Sequence, residues 1–178
     1  EQQKIISCSL DKNIRILAGA GCAKTTTILY RAKHLIETGI PSESIIMTTF
    51  TKDASNDIQK KLQLLLPLNK IIVGTIDSLS KRFLLKYYPD FKNTKCYVGE
   101  YKVKFYQFLS RDKCPYRQKF IDTIKYIFID EYQDINQDYF NIIHQLSKLG
   151  IIVSVVGDDC QNIYTWNGSN IKFILEFM

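Results

Sequence analysis

The stretch IRILAGAGCAKTTT, residues 14–27, joins a short apolar segment to a loop of small residues and a lysine–threonine pair. Its first four residues predict a buried strand, and the apolar residues after Lys24 recur at helical spacing. A strand, a small-residue loop, Lys-Thr and a helix form the arrangement of a phosphate-binding loop, where backbone N–H groups and the helix dipole converge on phosphate. Lys24 would then contact the β- and γ-phosphates, and the Thr25 hydroxyl would bind Mg²⁺.

Two alanines depart from the G-x-x-x-x-G-K-[ST] pattern of such loops. Ala18 and Ala23 occupy its two glycine positions. Ala23 adds a Cβ where the backbone approaches phosphate, and it resists a positive φ if the loop requires one. For the stretch taken alone, a strand-to-helix turn with an incidental lysine is the alternative interpretation.

Length and composition indicate one globular domain. The chain has 178 residues, of which 46% are apolar and 24% are charged. It contains no apolar run of the roughly 20 residues that a membrane span needs, so no membrane partner is expected. The five cysteines show no C-x-x-C spacing, which argues against a zinc site or disulfide framework and favours a reducing, intracellular location. The chain starts without methionine inside a predicted helix, so we expect a piece of a longer protein.

Positive charge is concentrated in residues 81–126. This segment holds twelve Lys/Arg and four Asp/Glu, a net +8, which leaves −2 for the rest of a chain whose total is +6. The same segment holds twelve of the twenty-two aromatic residues. Interleaved cations and rings suit single-stranded nucleic acid, because cations bind phosphates and rings stack on bases. On composition alone, a tyrosine-rich helical region with an ordinary solvated basic face is the slightly favoured interpretation.

Strands and helices alternate along the chain. Strands are predicted at residues 14–17, 44–50, 71–76, 126–130 and 151–156. Helices are predicted at residues 2–8, 24–38, 52–66, 77–88, 99–110, 115–123 and 137–148, and from 171 onward. Thr51 is the expected cap of the third helix, and Asp77 or Ser78 that of the fourth. This alternation implies a parallel sheet with helices on both faces, whose ligands bind at the carboxyl ends of the strands.

The fourth predicted strand ends in two carboxylates, Asp130 and Glu131. Asp130 can hold Mg²⁺ as the second acidic element of a phosphate-loop enzyme. Glu131 can orient and deprotonate an attacking water. A simple strand-end turn is the alternative for this pair, and its conjunction with the phosphate loop favours the functional interpretation. The fifth strand is followed by acidic and amide groups, among which Gln161 could contact a γ-phosphate or the attacking water.

These segments, in this order, resemble the N-terminal motor domain (1A) of UvrD/Rep-type superfamily 1 DNA helicases. The matching segments are residues 18–25 (motif I), 49–54 (motif Ia, T-F-T-x-x-A), 73–78 (motif Ib, usually G-T-F-H-S), 130–134 (motif II, D-E-x-Q-D) and 156–168 (motif III, G-D-x-x-Q-x-I-Y-x-W-R-G), preceded by Gln2 of the Q motif. Motif III is the most specific of them, because its Ile-Tyr-x-Trp extension differs from the pattern of RNA-directed relatives. The resemblance is weakest over residues 90–122.

The resemblance implies an α/β fold, a RecA-like P-loop NTPase domain over residues 1–178. Its parallel sheet is flanked by helices, and residues of about 90–122 form a reduced helical insertion similar to a 1B domain. The second motor domain is absent from these residues and would be a partner within the same parent chain. The implied activity of the parent is ATP-dependent translocation along single-stranded DNA, 3′ to 5′, with unwinding of duplex. The fragment alone is expected to bind nucleotide weakly and not to unwind.

The resemblance also assigns roles to individual residues. The residues implied to bind ATP are Gln2, Ala18, Gly19, Ala20, Gly21, Cys22, Ala23, Lys24, Thr25 and Thr26. Mg²⁺ would be held by Thr25 and Asp130, and the catalytic set would be Lys24, Glu131 as base, and Gln161 as the link to DNA. The residues implied to contact single-stranded DNA are Thr49, Phe50, Thr75, Tyr164 and Trp166. Core packing is the alternative role for Tyr164 and Trp166.

Three departures from the family pattern keep a second interpretation open. Asn167 replaces an arginine, Asp77 replaces a histidine, and Ala23 replaces a glycine. Each would weaken binding of phosphate or DNA. A non-hydrolysing DNA-binding or scaffold protein with a degenerate nucleotide site is therefore the alternative to an active motor.

Overall fold

A parallel five-stranded sheet forms the centre of the fold. The computed structural model describes residues 2–19, 21–89, 91, 96–97, 99–158, 173 and 177. The strands are β1 (Ile14–Leu17), β2 (Ile45–Thr49), β3 (Ile72–Thr75), β4 (Tyr126–Ile129) and β5 (Ile152–Gly157). Their spatial order is β1-β5-β4-β2-β3, and all neighbouring pairs are parallel. The predicted fold class, an α/β domain with a parallel sheet, is confirmed.

Seven helices of the described residues accompany the sheet. They are α1 (Gln2–Ser7), α2 (Lys24–Glu37), α3 (Lys52–Leu65), α4 (Ile76–Tyr87), α5 (Glu100–Leu109), α6 (Pro115–Thr123) and α7 (Gln137–Lys148). Short 3₁₀ turns cover Ser42–Ser44 and Tyr132–Asp134. None of the helices found in the described part of the chain has the length and apolar character for crossing a membrane. The helix predicted from residue 171 onward lies outside the described residues, apart from Phe173 and Phe177.

The helices divide between the two faces of the sheet. Successive residues of β2 alternate, with Ile45 and Met47 packing on the α2–α3 side and Ile46 on the α4–α7 side. This alternation follows from the two-residue period of a strand, and apolar residues at both phases explain why the strand is buried on both faces. The chain moves outward along the sheet through α2 and α3 and returns through α4–α7. Right-handed crossovers in opposite directions therefore place the two groups of helices on opposite faces.

Helix ends follow the predicted signals with one exception. Thr51 caps α3, and Gly39 and Gly150 adopt φ of 96° and 86° just after α2 and α7. The prediction of Asp77 or Ser78 as the cap of α4 was wrong. β3 passes into α4 without a loop, so the cap is Thr75, whose hydroxyl accepts a hydrogen bond from the Ser78 N–H at 3.3 Å.

The aromatic residues of the segment 81–126 form a core rather than a stacking surface. Seven of its twelve rings are buried. The centre is Phe120, which lies 5.2 Å from Phe83, 5.4 Å from Tyr87 and 5.8 Å from Phe105 by ring centroids. Such edge-to-face packing joins α4, α5 and α6 into one layer. The composition therefore reflects a tyrosine- and phenylalanine-rich helical core with its cations outside.

A buried arginine attaches the first helix to the domain. Arg31 in α2 is 1% exposed, and its guanidinium donates hydrogen bonds to the carbonyls of Ile5, Ile6, Cys8 and Ser9 at 2.8–3.2 Å. These carbonyls surround the C-terminal end of α1, where helical carbonyls lack internal partners and the helix dipole favours a cation. Burial lowers the pKa of Arg31. Among the described residues, the terminal guanidinium nitrogens are thus bound by oriented backbone dipoles and not by a carboxylate, and Nε has no hydrogen-bond partner.

We expect Arg31→Met to destabilise the domain by roughly 3 kcal/mol, because several buried carbonyls lose their donor at once. Arg31→Lys should recover only part of this loss, since one ammonium cannot reproduce the planar fork of donors. Urea denaturation followed by circular dichroism measures both. Lys33→Met, on the exposed side of the same helix, is the control and should cost less than about 0.5 kcal/mol. Equal effects of the two methionine substitutions would contradict the prediction.

Candidate functional site

Polar groups follow every strand at the edge of the sheet formed by the carboxyl ends of the strands, here called the carboxyl edge. The phosphate-loop sequence follows β1, Asp158 follows β5, and Asp130 and Glu131 follow β4. β5 pairs with both β1 and β4, so these three groups lie side by side. The predicted convergence of the strand-end motifs therefore occurs, and it places the lysine of the loop beside both acidic elements.

The loop after β1 has the backbone of an anion-binding turn. Gly21 has φ of 73°, and Ala23 has φ of 55° and ψ of 37°, directly before α2 begins at Lys24. Left-handed residues alternating with right-handed ones direct consecutive N–H groups to one side, and the start of α2 adds its own free N–H groups. An open depression of about 290 Å³ lies there, lined by residues 21–26, Lys61 and Glu131. The loop therefore fits a phosphate group.

Ala23 adopts a positive φ of 55°, a backbone conformation that glycine takes without strain. A left-handed conformation costs an alanine roughly 1 kcal/mol relative to glycine. The Cβ of Ala23 does not prevent the conformation. It makes the loop strained, and the strain lies at a site of proposed function.

We expect the Ala23→Gly variant to be at least as stable as the wild type. The Ala23→Val variant should be less stable than the wild type by roughly 2 kcal/mol. The reason is that a β-branched residue tolerates the left-handed region poorly. Thermal unfolding measures the order. Ala18→Gly is the matched control, because Ala18 is not among the positive-φ residues and the exchange should only cost roughly 0.5–1 kcal/mol. A gain at Ala18 as large as that at Ala23 would refute the explanation.

The two predicted Mg²⁺ ligands are in contact. The Thr25 hydroxyl donates a hydrogen bond to Asp130 Oδ2 at 2.5 Å, although the residues are separated by 105 positions in sequence. Asp130 is 4% exposed, and burial raises the pKa of its carboxyl, against which the Thr25 hydrogen bond acts. A hydroxyl and a carboxylate at one point are oxygen ligands of the kind Mg²⁺ prefers. The donor set fits that ion.

The phosphate-loop lysine is paired with an acid. Lys24 Nζ lies 3.6 Å from Asp158 Oδ2, and the two side chains are 9% and 4% exposed. A buried ion pair of this kind offsets the cost of burying each charge alone. Asp158 therefore holds the ammonium in the depression, in a position from which it can exchange one anionic partner for another.

Gln133 connects the two acidic elements. Its side-chain amide donates to Glu131 Oε2 at 2.7 Å, and its carbonyl oxygen accepts from the Asp158 N–H at 3.0 Å. Gln133 is 3% exposed, so both bonds are shielded from water. Glu131 itself is left-handed, with φ of 53°. The strained backbone and the amide together fix where the Glu131 carboxylate points.

The last acid of the 130–134 segment is buried without a partner for one oxygen. Asp134 is 7% exposed, and within the described residues its Oδ1 has no hydrogen-bond partner. Burial, followed by the Glu131 charge, raises the pKa of Asp134 to about 6. The folded protein therefore holds this proton more tightly than the unfolded chain does.

We expect this proton to appear in the pH dependence of stability. Because the folded pKa exceeds the ordinary value, the free energy of unfolding falls as pH rises from about 4 to about 6, and the loss then stays constant. Asp134→Asn should reduce that decline, to which Asp130 with its raised pKa also contributes, and should be roughly 2 kcal/mol more stable than the wild type above pH 7. Urea titrations at a series of pH values, in chelator, measure it. Asp138→Asn, an exposed acid on α7, should leave the decline in place, and a decline lost in both variants would count against Asp134.

A second depression begins where α1 meets α2. It has a volume of about 560 Å³ and is lined by Gln2, Gln3, Ile6, Thr26, Thr27 and Tyr30. Gln2 donates from Nε2 to the Cys22 carbonyl at 3.1 Å, so it contacts the phosphate loop directly. Gln2 and Thr26 thus line a pocket next to the loop, and the half-exposed Tyr30 ring was not predicted there.

The predicted DNA-contacting residues that the structure describes, Thr49, Phe50 and Thr75, lie at the far end of the carboxyl edge. Thr49 and Thr75 are 2% and 9% exposed, so little of either residue is open to a ligand. Phe50 is half-buried and packs edge-to-face on Tyr139, with 6.2 Å between centroids. Asp77, the departure from the family histidine, accepts a hydrogen bond from the Tyr139 hydroxyl at 2.5 Å. The negative charge of Asp77 is therefore turned toward α7.

Several predicted residues lie outside the described residues: Ala20, Gln161, Tyr164, Trp166 and Asn167. The structure in turn gives positions to residues that the sequence did not assign. Gln133 and Asp158 belong to the matched motifs. Their polar side chains next to buried strands were the sequence signal from which a role in the site could have been predicted. Arg31 carried no signal beyond a charge on the apolar side of a helix.

The parallel sheet, the left-handed phosphate loop after β1 and the buried carboxylate after β4 define an α/β domain of the RecA-like class. The family model of the UvrD/REP helicase N-terminal domain matches residues 1–104 and 99–178. The chain therefore belongs to the UvrD/REP helicase family, as its N-terminal domain.

Individual relatives agree with this family. A putative ATP-dependent DNA helicase of Acanthamoeba polyphaga mimivirus is 28% identical over 99% of this chain and 26% of its own length. ATP-dependent DNA helicase Rep of Buchnera aphidicola is 34% identical over 62% of this chain and 17% of its own length. The Pif1 helicase of Candida albicans has a similar fold, with a TM-score of 0.55, 16% identity, and coverage of 88% of this chain and 31% of that one. The chain thus spans a third or less of the length of these relatives.

Proposed function

We propose that this chain is the ATP-binding motor domain of a DNA helicase, which binds Mg-ATP and single-stranded DNA at its carboxyl edge. The observation that supports this most strongly is the contact between Thr25 and Asp130, with Lys24 beside it, at the end of the left-handed loop. The relatives' names, which describe ATP-dependent DNA helicases, support the same function.

The loop and the start of α2 would hold the phosphates through backbone N–H groups. Lys24 would leave Asp158 for the β- and γ-phosphate oxygens, and Thr25 and Asp130 would hold Mg²⁺. The ion would supply charge neutralisation for the transferred phosphoryl group. Gln2 and Tyr30 would face the base, since both line the pocket beside the loop.

Glu131 would act as the general base. Its carboxylate lines the phosphate depression, and Gln133 holds one of its oxygens. A water attacking the γ-phosphorus would pass a proton to the Glu131 carboxylate, and the bond from the γ-phosphorus to its bridging oxygen would break. Gln133 would in turn link this event to the end of β5, through the Asp158 N–H.

The parent protein would couple this reaction to movement along DNA. We propose 3′ to 5′ translocation and duplex unwinding, with the second motor domain of the parent chain as the partner that completes the site. Phe50, Tyr164 and Trp166 would contact bases, and the backbone at Thr49 and Thr75 would border the strand. The degenerate, non-hydrolysing alternative rests on the strain at Ala23.

Nucleotide binding by the chain itself separates these two functions. We expect a fluorescent ATP analogue to bind in a Mg²⁺-dependent manner, with at least about a tenfold loss in Lys24→Ala, because the phosphates lose their cation. Glu131→Gln should retain binding, since the base acts only in the chemical step. Fluorescence anisotropy measures all three.

Lys33→Ala, at a partly exposed lysine of the same helix that pairs with Glu37, is the control and should bind like the wild type. Absence of saturable binding by folded wild-type protein, with binding restored by Ala23→Gly, would favour the degenerate site. Equal binding by the wild type and Lys24→Ala would contradict the phosphate assignment.

A further inference from the structure

The exposed face of α4 carries a row of cations. Lys81, Arg82 and Lys86 lie at spacings of one, four and five positions and are all exposed, while the opposite face of the helix is buried in the aromatic core. Arg111, which follows α5, lies beside the C-terminal end of α4, where its guanidinium contacts the Tyr88 hydroxyl. We call Lys81, Arg82, Lys86 and Arg111 the basic strip.

Aromatic rings lie beside three of the four cations of the basic strip. Lys81 Nζ lies 5.2 Å from the centroid of Tyr101, and Lys86 Nζ lies 4.8 Å from that of Tyr87. The Arg111 guanidinium carbon lies 4.8 Å from the centroid of Tyr88. A ring attracts a cation through its quadrupole and leaves the net charge in place. The strip is therefore oriented without being neutralised.

Other cations of the surface are paired differently. Within the described residues, the ion pairs shorter than 4.0 Å include none of the basic strip. By contrast, Lys33 and Lys61 pair with acids four positions away on their own helices, and Lys102 pairs with Asp138. A solvated charged face of the ordinary kind shows such pairs. The strip lacks them, so its positive potential is available to a ligand.

The strip starts at the proposed DNA site. α4 begins directly after Thr75 at the carboxyl edge, and β3 is the outermost strand next to β2, which leads to Phe50. The nearest acid at the start of α4 is Asp77, whose carboxylate is bound by Tyr139. From Lys81 to Lys86 the helix rises about 7.5 Å, and Arg111 extends the strip beyond the C-terminal end of α4.

We propose that the basic strip binds the phosphate backbone of the DNA single strand after it leaves the carboxyl edge. This inference rests on the proposed function, to which it adds a surface outside the matched motifs. An acidic protein partner fits less well, because a protein interface needs an apolar or aromatic centre and, among the described residues of α4, Leu85 is the one large apolar side chain that is exposed, at 40%. A row of exposed cations along one helix matches a polymer of anions.

The test compares the wild-type chain with the triple variant Lys81→Gln, Arg82→Gln, Lys86→Gln. Binding of labelled oligo(dT) of about 16 nucleotides is measured by anisotropy between about 50 and 200 mM salt. Each phosphate contact on a single strand contributes about 0.7 to the slope of log K against log salt, so the variant should lose about 2 from the slope. If the binding constant at 1 M salt is unchanged, this loss of slope means that the variant binds about a hundredfold more weakly than the wild type at 0.1 M salt.

The control is the triple variant Lys12→Gln, Lys70→Gln, Lys148→Gln. These three exposed lysines lie before β1, before β3 and at the end of α7, which places them at the opposite edge of the sheet. Their substitution removes the same amount of charge as the α4 triple variant. The control should keep the wild-type slope. Equal losses in both triples would overturn the proposal in favour of diffuse net charge. Thermal unfolding of both triples confirms that each is folded.

Two further outcomes separate this proposal from the proposed function. If Phe50→Ala weakens oligo(dT) binding and the α4 triple does not, the strip is refuted while the DNA site at the carboxyl edge stands. If the wild type does not bind oligo(dT) at all, both fail. A parallel titration with duplex of the same length should change less in the α4 triple, and a loss confined to duplex would overturn the single-strand assignment.

Discussion

The position of β5 between β1 and β4 is the constraint on which the candidate site depends. Neighbouring strands lie about 4.8 Å apart, so the ends of β1 and β4 are separated by about 10 Å. That gap is bridged by the first turn of α2, whose Thr25 meets Asp130, and by Lys24, which meets Asp158 at the end of β5. A strand order with β1 at the far side of the sheet would leave the same residues too distant to share one ion.

Much of the fold could be predicted from the sequence because each strand is a continuous apolar run and each helix has a clear end signal. Gly150 stops α7 at the predicted position, and β1 has the predicted limits. The cap of α4 was misassigned because no loop separates it from β3. The Gln133 bridge and the Arg31 cluster could not be predicted, since their partners are distant in sequence and leave no periodic pattern. Aromatic residues around Phe120 illustrate the same limit: composition gives their number, and only packing decides whether they are buried.

Two of the three described non-glycine residues with positive φ flank the site. Ala23 ends the phosphate loop and Glu131 follows the buried acid, whereas the third, Lys113, lies between α5 and α6. Surrounding structure must compensate such conformations, here through the loop's attachment to α2 and through Gln133. The Ala23 side chain therefore adds strain energy to a loop that still takes a positive φ at this position.

The attachment of α1 by Arg31 gives the site a modular character. A helix of six residues has little stability of its own, so its orientation is inherited from α2. The purine-facing and phosphate-facing halves of the site would then behave as two weak binding modules joined by a rigid link. Their affinities multiply through a high effective concentration, as in any chelating pair. Under the proposed function, discrimination between bases would depend on how firmly the Arg31 guanidinium holds α1.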